Sequence, residues 1–116
     1  MSNKNNNSNM LESCVGKGQN LAGLVEYSDD SIVSKTILDK QVGTITLFAF
    51  DKGQKLSEHQ SPFDAVVQVV EGSANLRIGK EDMKVSAGQL IIMPANVPHA
   101  VKAEEKFKML LTMIRT

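Results

Sequence analysis

Only two residues of the chain carry an imidazole, and each stands among glycine and proline. His59 lies in GQKLSEHQSPFDAVVQVVEG, from Gly53 to Gly72. His99 ends GQLIIMPANVPH, which starts at Gly88. A neutral imidazole can act as a general base, hydrogen-bond to a ligand or bind a metal. His59 and Ser61 are two residues apart, so on a strand both side chains point to one side. His99 follows Pro94-Ala95-Asn96-Val97-Pro98. Two prolines fix the backbone there and remove donors, which suits a tight turn that aims the next side chain. Asp64 is a nearby carboxylate that could orient His59 or hold a proton, as could Glu58. The plainer reading stands beside this one: each ring could be a rim or core group satisfying a backbone carbonyl.

Short strands must position these residues. Ser31 to Leu38 is rich in Val, Ile and Thr. Thr44 to Phe50 alternates, with Ile45, Leu47 and Ala49 on one face and Thr44, Thr46, Phe48 and Phe50 on the other. Lys55 to Ser61 is less regular and is interrupted by Pro62. Ala65 to Glu71 is Val-rich and ends at Gly72. Ala74, Leu76 and Ile78 alternate with Asn75 and Arg77, and a Gly79–Asp82 turn leads to Met83–Ser86. Leu90 to Met93 is apolar throughout and stops at Pro94. Ala100 to Ala103 is short, and Lys102 to Lys108 reads as a solvated loop. Phe107, Met109, Leu111 and Met113 are in phase on a last strand. Spacings of three and four also allow a helix over Ala103 to Ile114, but the β-rich context favours strand. Eight to ten closely spaced strands without crossover helices argue an antiparallel sandwich or jelly-roll barrel.

The composition narrows the function. Hydrophobic residues make up 41% and aromatics only 4%, so the core must be aliphatic and no stacking platform for bases is available. Thirteen basic and thirteen acidic residues balance, which removes the positive field that nucleic acid needs. Cys14 is the single cysteine, so neither an intrachain disulfide nor a thiolate cluster can form, and a cytoplasmic address is compatible. No apolar run is long enough to span a bilayer. Residues 1–9, MSNKNNNSN, are expected to be a disordered polar tail, with one domain over 10–116.

Taken together, the two stretches resemble the motifs of the cupin superfamily, in particular its small single-domain members. Gly53, His59 and Gly72 fit the spacing of the first motif, and Gly88, Pro94 and His99 that of the second. The resemblance runs from about Ile32 to Ile114 and implies an all-β, cupin-type double-stranded β-helix. It also marks departures. Ser61 stands where the family has a second histidine, Ala65 where it has a glutamate, Asn96 where it has a glycine and Ala103 where it has a late asparagine. Complete family sites hold a divalent metal through three histidines and one glutamate. Here the resemblance leaves His59 and His99 as metal ligands, with Asp64 the most plausible third. A divalent ion (Zn, Fe, Mn or Ni) is then expected only at low occupancy.

Three functions follow as expectations. The first is a small-molecule binding module, its aliphatic pocket lined by Val67, Val69, Leu76, Ile92, Met93 and Met109, with His59, Ser61 and His99 as polar contacts. The second is an enzyme using His59, His99 and Asp64. Without metal that is an isomerase or epimerase; with metal, a dioxygenase or lyase. The third is a structural homodimer, burying Phe48, Phe50, Val66 and Val70 between copies.

Overall fold

The computed structural model describes residues 9–116. The expected tail therefore lies outside the described residues, Asn9 excepted. Nine strands follow two short 3-10 turns, Glu12–Cys14 and Leu21–Leu24. They are β1 (Ile32–Lys40), β2 (Gly43–Phe50), β3 (Lys55–His59), β4 (Asp64–Glu71), β5 (Ser73–Ile78), β6 (Glu81–Ser86), β7 (Leu90–Met93), β8 (His99–Lys102) and β9 (Phe107–Ile114). A five-stranded sheet runs β1-β2-β9-β4-β7 and a four-stranded sheet β3-β8-β5-β6, with every pairing antiparallel. The ambiguous C-terminal segment is strand, as its β-rich surroundings predict. Its register against both β2 and β4 uses the backbone donors and acceptors that a helix would have kept to itself.

The main core lies between the sheets. Val67, Val69, Leu76, Val101 and Met109 fill it, and Phe50 stacks on Phe107 with ring centroids 4.6 Å apart. Removing such a side chain from water contributes about 1.5–3 kcal/mol. Gly72 turns β4 into β5 at φ +74, and a Cβ there would sit 2.7 Å from the Lys106 carbonyl oxygen, so only glycine fits.

A second cluster covers the other face of the five-stranded sheet. Val25, Leu24 and Tyr27 from the N-terminal segment pack over Leu47, Ala49, Val33, Val70 and Leu110. This corrects three expectations. Phe48 and Phe50 do not face a partner copy: Phe50 is fully buried in the main core and Phe48 packs against it. Val70 is covered by the chain's own N-terminal segment. The Lys102–Lys108 run is not wholly a solvated loop, since Ala103, Phe107 and Lys108 are buried. Lys108 Nζ donates to the Ala22 carbonyl at 2.6 Å and lies 4.9 Å from the Tyr27 ring centroid, so this lysine ties the N-terminal segment to β9.

Candidate functional site

The two histidines meet. β3 and β8 are neighbours, and His59 and His99 are register partners just beyond a bulge that follows Leu56. Their Nε2 atoms are 3.0 Å apart, with ring centroids at 4.2 Å and planes at 75°. His59 sits at the mouth of a cavity, and His99 is only 6% exposed.

The other ring nitrogens each face a carbonyl. Nδ1 of His59 lies 2.9 Å from the Ser57 carbonyl oxygen and Nδ1 of His99 lies 3.2 Å from that of Val97. A carbonyl only accepts, so a hydrogen on each Nδ1 satisfies both contacts. In that tautomer both Nε2 lone pairs point at one another, and a shared proton or a cation between them relieves the repulsion. A hydrogen on one Nε2 instead makes the 3.0 Å contact an N–H···N bond and gives up that ring's carbonyl. Burial holds the His99 pKa below the ordinary histidine value, and a charge on His59 adds to this, while the Val97 carbonyl acts in the opposite sense.

A braced turn aims His99. Asn96 adopts φ +65, the left-handed region that asparagine tolerates better than most residues. It therefore supplies the conformation for which the family motif uses glycine. Asn96 N–H donates to the Ser61 carbonyl at 2.7 Å, and Gly79 N–H to that of Pro98 at 2.8 Å. Asp64 Oδ1 accepts from Ala95 N–H at 2.8 Å. Asp64 is thus an exposed brace for the turn and is not among the residues that line the cavity. Ser61 does line the cavity, but its hydroxyl oxygen already accepts from Phe63 N–H at 3.1 Å.

The cavity measures about 70 Å³. His59, Ser61, His99, Met93 and Met109 line it, as the sequence leads one to expect. Val67, Val69 and Leu76 do not; they are sealed into the main core. Ile92 is 59% exposed on the outer face of β7. An unbroken apolar run such as LIIM has no alternation from which its inward face can be read. Sequence reasoning missed Phe48, Leu56, Phe63, Ala65, Leu111 and Met113 as wall residues. Met113 was within reach, being in phase with Met109 on β9. Among the described residues, no three His, Cys, Asp or Glu side chains gather into a metal-holding group.

A second concavity, about 620 Å³, lies open on the outside of the four-stranded sheet. Lys55, Asn75, Arg77, Asp82 and Lys102 border it. Arg77 and Asp82 pair bidentately, at 2.7 and 2.9 Å.

The model of the Cupin domain family matches residues 46–115. A conserved protein of unknown function from Streptococcus pyogenes is 40% identical over 86% of this chain and 88% of its own, with a TM-score of 0.82. A Cupin 2 conserved barrel domain protein from Leptotrichia buccalis is 41% identical over 83% of this chain but only 47% of its own length, with a TM-score of 0.80. A cupin superfamily protein from Desulfitobacterium hafniense has a TM-score of 0.83 at 23% identity, a likeness of fold alone. No match is found among curated proteins.

Proposed function

The chain belongs to the cupin family, and from that premise we propose that it binds a compact ligand in the His59–His99 cavity. One observation carries this reading: two Nε2 atoms converge, 3.0 Å apart, in a cavity walled, Ser61 apart, by thioether, phenyl and aliphatic groups. Ligand pockets commonly measure about 300–1,000 Å³. A space of about 70 Å³ suits a guest of few heavy atoms, or one small group of a larger molecule. This counts against an isomerase or epimerase acting on an enclosed sugar, and Asp64, one oxygen of which accepts from Ala95 N–H, does not line the cavity.

The family's divalent metal does not fit. Its second histidine is Ser61, whose oxygen is engaged by Phe63, and its glutamate is Ala65. Two imidazoles fall short of the three protein ligands usual at a catalytic zinc or a facial-triad iron site. No step through such an ion is derived.

The test is a thermal-shift screen against small metabolites, run on the wild type, His59→Gln and His99→Gln. Ligands that raise the melting temperature of the wild type should lose that effect in both variants. Hits that survive unchanged in both would overturn the reading.

The proposal includes a homodimer formed through the outer face of the five-stranded sheet. Leu90 and Ile92 on the edge strand β7 are 60% and 59% exposed, and Ile114 and Val66 lie on the same face. An unpaired apolar edge of this kind invites a second copy. Sedimentation should show a dimer at micromolar concentration that Ile92→Lys dissociates; a wild-type monomer would refute it.

A further inference from the structure

The walls of the cavity say which guest its nitrogens prefer. Once both Nδ1 hydrogens are committed to carbonyls, the two Nε2 atoms are free electron-pair donors. They stand 3.0 Å apart. Two nitrogens each about 2.0–2.1 Å from one ion are separated by about 3.0 Å at a right angle and about 3.3 Å in a tetrahedron. A small ring rotation spans that range.

Apart from the Ser61 hydroxyl, which accepts from Phe63 N–H, the remaining donors are soft. Ala65 leaves a gap on β4, and its register partners on either side are Met93 on β7 and Met113 on β9. Both methionines line the same cavity as the histidines. The position at which the family supplies a carboxylate is therefore flanked by two thioethers. Asp64, the nearest carboxylate in the sequence, faces Ala95 instead. Thioether sulfur favours Cu(I), whereas hard divalent ions favour oxygen donors. Charge points the same way. The cavity contains no anionic side chain, and the cost of burying an ion rises with the square of its charge, so a monovalent cation is far less penalised than a divalent one.

We infer that the cavity is a Cu(I) site, with Nε2 of His59 and His99 as the nitrogen ligands and thioether sulfur from the Met93–Met113 pair completing the set. This rests on the reading that the His59–His99 cavity is the binding site, and it names the guest. The nitrogens supply the firm half of the set and the sulfurs the selectivity.

The experiment is anaerobic competition for Cu(I) against bicinchoninate, with Zn(II) dialysis as the comparison. The wild type should take one equivalent of Cu(I) from the chelator and retain no Zn(II). X-ray absorption of the loaded protein should show sulfur as well as nitrogen neighbours. His59→Gln should abolish uptake. Met93→Leu and Met113→Leu, which preserve volume and apolarity, should each weaken Cu(I) at least tenfold with circular dichroism unchanged. Ala65→Glu should shift preference toward Zn(II). Cu(I) affinity unaltered in the double methionine variant, or Zn(II) held in preference to Cu(I) by the wild type, would overturn the assignment. If the wild type takes no copper but still shows His59-dependent thermal shifts with small metabolites, the copper site falls and the cavity reading stands. If neither occurs, both fall.

Discussion

Of the two concavities described above, the smaller is the more informative. The outer groove on the four-stranded sheet is nearly nine times the volume of the inner cavity, about 620 against 70 Å³. Its charged groups face water, and its best-placed pair, Arg77 and Asp82, satisfies itself. Across its floor Lys55, Lys102 and Asn75 follow one another in register, so lysine stands opposite lysine on β3 and β8. Hydration tolerates that arrangement at an exposed surface. The inner cavity brings two imidazole nitrogens to 3.0 Å of one another, one ring buried and the other reaching it from the exposed rim. Affinity grows from preorganised polar atoms aimed at one point, not from space.

The contrast can be tested from the strongest effect downward. Met109→Ala removes a buried wall of the cavity and should destabilise the protein by about 2–5 kcal/mol in denaturant unfolding. A loss near zero would mean that the cavity walls are no better packed than the groove. Asn96→Val places a β-branched residue at φ +65 and should cost about 1–2 kcal/mol, while Asn96→Gly should be nearly neutral. Equal losses in the two would show that the asparagine side chain, and not its backbone conformation, matters.

A pH series on the metal-free protein should separate the regions next. The folded pKa of His99 lies below its unfolded value of about 6.5, so in the window beneath 6.5 the unfolded chain binds more protons. Stability should therefore fall as pH drops below about 6.5 and level off above it. His99→Gln should flatten that slope; a slope that persists would assign it elsewhere. The smallest effect is expected in the groove. Arg77→Ala should leave the melting temperature and the cavity's ligand responses unchanged, because the pair is exposed. A changed response would make the groove part of the site.

Much of this was legible in the residues, for identifiable reasons. Glycine and proline punctuation located the strands to within a few positions, and the resemblance of the Gly53, His59, Gly88 and Pro94 spacing to the cupin motifs implied that the two histidines share a site. Phe48 and Phe50 were misread because β2 is apolar on both sides: one face meets the main core and the other the N-terminal segment. Alternation cannot tell which covered face is which. The bracing contact of Asp64 was not legible because its partner, the Ala95 amide, is 31 residues away, and no local pattern announces such a brace. The methionines flanking Ala65 come from two strands far apart in sequence, so only the register unites them.

The covering of the outer sheet by Leu24, Val25 and Tyr27 has a practical consequence for anyone shortening this protein. The stretch that matches the family begins at residue 46, in the middle of β2. A fragment cut there would lack β1 and the apolar cap over Leu47 and Ala49, and Lys108 would lose the Ala22 carbonyl that accepts its ammonium proton. The smallest independently stable piece should begin before Leu21, well upstream of what family similarity alone would recommend.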